Sequence, residues 1–267
     1  MEKYVSILDK KTLTVILISV AATYICLRQN YTSDVNLTLF SLAVIFPLVF
    51  TIREAFKRRD NAIALLSLFK ASLSATYFCC ASNRRLDEEG TKHIGQELEK
   101  LSDLFFDTLY SDKSKFELVR RQLDDISFFI SENEKYFSSG TAIKLFRFLK
   151  DARESMENVF GLSTHGTPVS LRAYCLVFIY AFPLIFVPSL VAQISNYSTL
   201  AIFLVSATPG FILVTLYNIQ ERMEDPFDQS GLDDIKIEEF CFQVPKNHLT
   251  KAPPTQRQPK LKVLATG

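Results

Sequence analysis

Two runs late in the chain carry no Asp, Glu, Lys or Arg: AYCLVFIYAFPLIFVPSLVAQI (Ala173–Ile194) and TLAIFLVSATPGFILVTLYNI (Thr199–Ile219). A helix needs about twenty largely apolar residues to cross the hydrocarbon core of a bilayer. A soluble domain would have to bury both runs on every side, so the chain reads as a membrane protein. Two shorter apolar runs, 12–27 and 37–52, bring the expected crossings to four, and a softer apolar patch covers 61–81. Hydrophobic residues make up 48% of the 267, 23 of them Phe, which excludes a disordered chain, a fibrous repeat and a disulfide scaffold.

The first run, TLTVILISVAATYICL after Lys10-Lys11, has a basic flank and an apolar body. Cys26 and Leu27 stand where a leader peptide would have small residues before cleavage, so a retained first membrane helix is expected. Pro47, Pro183, Pro188 and the Pro209-Gly210 step fall inside three of the four runs. Membrane helices tolerate such breaks where neighbours satisfy the freed carbonyl. Basic residues set the orientation. Lys3, Lys10 and Lys11 precede the first run, Arg53, Lys57, Arg58 and Arg59 follow the second, and Arg172 precedes the third. The connections at 28–36 and 195–198 hold one basic residue, Arg28. Positive charge retained inside puts both termini and the long middle region in the cytoplasm. Asn-x-Thr/Ser triplets at Asn30, Asn36 and Asn196 fall on the outer side but hug the membrane, where glycosylation is not expected.

Between the second and third crossings, apolar residues recur at helical spacing. Ile94, Leu98, Leu101, Leu104 and Phe105 form one series, and Phe116, Val119, Leu123, Ile126 and Phe129-Ile130 a second. Ile143, Phe146, Leu149, Met156 and Phe160 form a third. The expectation is a helical cytoplasmic domain, with a turn at Ser139-Gly140 and a linker over Gly161–Ser170. Segment 61–81, with Lys70 in its middle, reads as a buried helix beneath the membrane. The expected organisation is therefore membrane helices within 1–60, a cytoplasmic domain over 61–170, membrane helices within 171–220 and a cytoplasmic segment and tail over 221–267. The fold class is an all-α membrane protein.

Chemistry is sparse. The five Cys lack regular spacing and read as reduced, mostly buried thiols. His93, His165 and His248 are scattered, no CxxC occurs, and Ser41 and Ser206 have no paired His and acid. Neither an enzyme, a cofactor, a metal site nor a nucleic-acid partner is expected.

The second crossing carries the functional candidate. In LFSLAVIFPLVF, Leu42, Phe46 and Phe50 recur every four residues and lie on one helix face, above an abrupt polar turn at Arg53–Asp60. A Phe stripe commonly packs against lipid or core. Repeated around a symmetry axis it makes a hydrophobic constriction that passes or blocks ions by wetting and dewetting. Arg53 and Lys57 below it would form a basic collar that concentrates anions. Four helices alone scarcely enclose a route, so this use requires an oligomer. After the last crossing, ERMEDPFDQSGLDDIKIEE crowds Glu221, Glu224, Asp225, Asp228, Asp233, Asp234, Glu238 and Glu239 together. It reads either as a solvated acidic turn, with Pro226 ending the emerging helix, or as an oxygen-rich cation site that lacks EF-hand spacing.

These two places resemble the bestrophin family of ion channels, in particular its small prokaryotic-type members. Leu42, Phe46 and Phe50 match the family's three neck positions, and Phe56-Lys57-Arg58 falls where it carries an aromatic and then Arg. Glu224-Asp225-Pro226-Phe227 resembles the acidic Pro-Phe motif after the final helix, and the order of spans agrees to about residue 245. The resemblance implies a homopentamer in the lipid bilayer, of the inner or plasma membrane if prokaryotic, that passes small anions such as chloride through one axial pore. Some bacterial members favour sodium, so cation conduction on the same fold is the alternative, beside a non-conducting membrane scaffold. In animal members calcium sits in an unbroken acidic run after the motif. Here Asp228-Gln229-Ser230-Gly231-Leu232 interrupts that run, and no metal ligand is assigned. Leu48-Val49 replaces the family's usual glycine between the second and third neck positions. The tail 245–267, containing KAPPTQRQPK, is basic and proline-rich and has no apolar period.

Overall fold

The computed structural model describes residues 9–33, 35–194, 197–227 and 234–245. Its longer helices are α1 (Lys10–Gln29), α2 (Leu37–Ala81), α3 (Glu88–Tyr110), α4 (Phe116–Glu132), α5 (Ser139–Thr164), α6 (Val169–Ile194) and α7 (Thr199–Arg222). No strand occurs among the described residues. Helices α1, α2, α6 and α7 contain the four stretches long and apolar enough to cross a membrane.

Local chemistry starts most of these helices. The Asp9 carboxylate accepts the Lys10 amide and Thr12 Oγ1 accepts the Asp9 amide, a reciprocal cap on α1. The Asn36 side chain accepts the amides of Thr38 and Leu39 at the start of α2. That residue of an Asn-x-Thr triplet is thus a helix cap. Asp87 caps α3 through the Gly90 amide, Ser138 caps α5 through Thr141, and Ser198 caps α7 through Ala201.

The helix α2 departs from the expected organisation. A crossing over 37–52 and a separate helix over 61–81 are one helix of 45 residues, roughly 68 Å long at about 1.5 Å per residue. It passes straight through the boundary expected at residue 60. The polar stretch Arg53–Asp60 holds no Gly or Pro, so the hydrogen-bond ladder has no reason to stop there. One face stays buried throughout: Val44, Leu48, Thr51, Ala55, Ala62, Leu66, Phe69, Leu73, Thr76 and Cys80. The upper part of that face packs in the membrane bundle with Val15, Cys175, Ile179, Phe182, Leu213, Val214 and Tyr217. The lower part packs in a second core, that of the helical domain, with Ile94, Leu98, Phe105, Phe116, Leu123, Leu149 and Met156. Two cores therefore hang on one rod.

In the membrane bundle, α1 offers Val15, Ser19, Ala22, Thr23 and Cys26 as a buried face of small residues. Gly210 lets α7 approach it closely: a Cβ there would lie 2.9 Å from Val15 Cγ1 and 3.3 Å from Ser19 Oγ. Pro47, Pro183, Pro188 and Pro209 all sit inside continuous helices.

The three apolar series between the second and third crossings become α3, α4 and α5, with two corrections to their ends. Ser139-Gly140 is not a turn but the start of α5, and the chain instead reverses over 133–138. Gly161 does not open a linker, because α5 continues to Thr164 and α6 begins at Val169. A Cβ at Gly161 would meet nothing within 4 Å, so that glycine needs no special backbone.

Candidate pore-lining face

The buried face of α2 defines its opposite. Leu42, Phe46 and Phe50 are 42%, 55% and 58% exposed, whereas Val44 and Leu48 on the same turns are 3% and 1%. The Phe46 and Phe50 rings stack along the helix at 6.3 Å between centroids. All three residues therefore share a face that the single chain leaves uncovered, as their spacing required. Leu48 belongs to the buried face. Its neighbour Val49, which is exposed, is on the uncovered side of the helix.

The same face continues below the aromatic residues without interruption. At about 100° per residue, Arg53, Lys57, Asn61, Ala64, Leu68, Ala71 and Phe78 fall in line with Leu42, Phe46 and Phe50, and all seven are exposed. Arg53 and Lys57 thus lie directly beneath the apolar rings. Glu54 and Asp60, also exposed, add negative charge at their flank. Arg58 turns away, and its Nη2 donates to the Leu162 carbonyl at 2.7 Å, tying α2 to the end of α5.

The Glu224-Asp225-Pro226-Phe227 motif follows the end of α7 and works as a joint. Glu224 accepts from Arg172 Nη1 at 2.8 Å and from Gln220 Nε2 at 2.7 Å, so it couples the first turn of α6 to the last turn of α7. Asp225 accepts from Lys113 Nζ at 2.9 Å, and that ammonium also donates to the Ser163 carbonyl at 2.7 Å. One ammonium, on the α3–α4 connection, therefore binds both the acidic motif and the end of α5. The Phe227 amide donates to Asp225 Oδ1, and its ring is fully buried in the core of the helical domain. Glu221, one turn earlier, pairs with Lys11 at the start of α1, and Asn218 Nδ2 donates to Thr12 Oγ1 at 3.0 Å.

The sequence pattern named the motif and the acid Glu221 before it, but not Arg172 and Lys113 as partners of the motif or Lys11 as the partner of Glu221. Those contacts span 52 to 210 residues, and no local pattern announces them. The interrupted acidic run at 228–233 lies outside the described residues, as do Lys3 and the tail beyond 245. Among the described residues no group of three His, Cys, Asp or Glu is placed to hold a metal ion.

No protein-family model matches the chain, and no relative is found among curated proteins. Solved structures do match. A bacterial bestrophin homologue from Klebsiella pneumoniae superposes with a TM-score of 0.71 at 15% identity, covering 86% of this chain and 93% of that one. A structure described as a membrane protein superposes at 0.72 with 16% identity, covering 86% and 93%. The shared property is the fold.

Proposed function

We propose that this chain, an integral membrane protein with the bestrophin fold, assembles as a homopentameric ion channel whose axial pore is lined by α2. The carrying observation is the uncovered face of α2, apolar at Leu42, Phe46 and Phe50 and charged at Arg53 and Lys57. A lone chain would set Arg53 and Lys57 in line with lipid-facing aromatic residues; a ring of chains turns the whole stripe inward.

In this reading the helical domain and both termini are cytoplasmic, as the basic residues around α1, α2 and α6 require. Ions shed part of their hydration at the Leu42, Phe46 and Phe50 rings. Nothing there hydrogen-bonds a permeant ion, so the barrier is set by pore radius and wetting. Beneath them, Arg53 and Lys57 raise the local anion concentration and bias passage toward small anions such as chloride. The cytoplasmic stretch of the stripe, Asn61 through Phe78, lines the wider vestibule below. The conduit is passive, with no enzymatic step and no cofactor.

Two measurements on protein reconstituted in planar bilayers test this. Replacing Leu42, Phe46 and Phe50 together with Ala raises unitary conductance; unchanged currents remove these residues from the neck. Under a salt gradient, Arg53→Glu with Lys57→Glu moves the reversal potential toward cation selectivity. A wild-type reversal potential already on the cation side selects the sodium alternative, and absence of any flux selects the scaffold.

A further inference from the structure

Arg53 and Glu54 are the first charged residues of α2, directly below its apolar stretch, and both are exposed. Among the described residues neither forms an ion pair. Glu54 has two cations within about one turn of its own helix, Lys57 and Arg58, and pairs with neither. Arg58 is held instead by the Leu162 carbonyl.

Consecutive residues of a helix point about 100° apart, so this pair sends a cation and an acid out along two well-separated bearings. The wedge between those bearings holds the candidate pore face. Going from Arg53 toward Glu54, Phe46 and Ala64 lie about 20° in, Lys57 about 40°, Phe50 and Leu68 about 60°, and Asn61 about 80°.

In a closed ring of five equal copies, each helix sees its two neighbours at about 108° to one another, the corner angle of a pentagon, with the axis on the bisector. When the wedge faces the axis, Arg53 points at one neighbour and Glu54 at the other. Copies around a rotation axis sit at equal height, and the two residues differ by about 1.5 Å along the helix. The contact is head-to-tail, so Arg53 of each copy meets Glu54 of the next all the way round. Packed helices stand about 8–10 Å apart, a gap that an Arg and a Glu side chain span together.

We propose that Arg53 and Glu54 of adjacent copies form a closed girdle of intersubunit ion pairs, one at each seam, immediately below the Phe50 ring. Resting on the pentameric reading above, this girdle is the contact that closes the ring. It also divides the basic collar. Arg53 is a paired charge at the seam, and Lys57, near the bisector, is the cation presented to the ion path.

The full-length chain, with its five native Cys replaced, receives Arg53→Cys and Glu54→Cys together and is oxidised in detergent. Two Cys adjacent in one helix point apart and do not readily bridge to each other. The expected result on a denaturing gel is a ladder of crosslinked chains ending at the pentamer. Arg53→Cys alone and Glu54→Cys alone leave one thiol at each seam and stay monomeric on that gel. Native mass spectrometry of the wild type separates the two readings. A pentamer whose double variant gives no ladder overturns the girdle and leaves the pentamer standing, whereas a monomer overturns both. A ladder as strong from either single variant overturns the girdle too, because like residues would then face each other. Charge reversal, in the chain with its native Cys, is the second readout. Glu54→Arg lowers the temperature at which the solubilised oligomer dissociates, and adding Arg53→Glu recovers most of that loss. No recovery in the double variant overturns the pairing.

Discussion

Phe227 shows how one side chain anchors the segment that follows the membrane. Its ring is fully buried in the core of the helical domain, and the Pro226 carbonyl before it accepts the Ile235 amide at 3.0 Å. Phe227→Ala removes a buried aromatic and leaves a cavity, a loss of about 3–5 kcal/mol, read as an earlier thermal unfolding transition of the solubilised protein. Gly95 matters for the opposite reason, since Val244 and Tyr77 occupy the space a side chain would need. The Phe242 amide donates to Ser102 Oγ and the Val244 amide to Glu99 Oε1. Gly95→Val lifts this segment, and hydrogen exchange at the Phe242 and Val244 amides rises while α3 itself stays protected. The Arg120 guanidinium grips Glu157 at 2.7 and 2.8 Å, and this pairing holds the Glu157 carboxyl below the ordinary range. A depressed folded pKa contributes stability above the unfolded carboxylate pKa and loses it as pH falls through the folded one. Both side chains are more than one-third exposed, so solvent screening limits the effect to about 0.5–1 kcal/mol. Acid titration of unfolding in Glu157→Gln is accordingly flatter than in wild type as pH falls from the ordinary carboxylate pKa through the lowered Glu157 value.

Among the elements, α2 and the end of α7 do different work. The long helix transmits position, because its buried face serves the membrane core above and the helical-domain core below with no hinge between. The joint after α7 holds those halves at their edges, through Glu224 to Arg172 and Asp225 to Lys113. The Glu224 side chain is only 11% exposed, so Arg172→Ala strands a shielded carboxylate and costs about 1–3 kcal/mol. Hydrogen exchange then increases in the first turn of α6, whereas Arg172→Lys retains the charge and recovers part of the protection. The sequence announced α3, α4 and α5 because each repeats its apolar residues at three and four. It misplaced their ends because Ser138 outbids Ser139-Gly140 as a cap, and because a solvent-open Gly161 is tolerated within a helix.

At the scale of the whole molecule, the two faces of α2 make opposite predictions about water. If copies surround an axis, Cys introduced at Asn61 or Ala64 in a background lacking the native thiols reacts with a hydrophilic thiol reagent, and current changes as it does. Cys at Leu66, fully buried on the other face, stays unmodified. Equal reactivity at 64 and 66 breaks the assignment of the stripe to a water-filled vestibule.

The crossings, their order and the Leu42, Phe46, Phe50 register were determined by sequence, because run length, charge and a four-residue spacing are local quantities that survive without tertiary contacts. The unbroken course of α2 and the contacts of the acidic Pro-Phe motif were decided by the folded chain. A helix continues through a polar stretch when both flanking cores bury the same face. An acid finds its cation by packing, across separations no periodicity encodes.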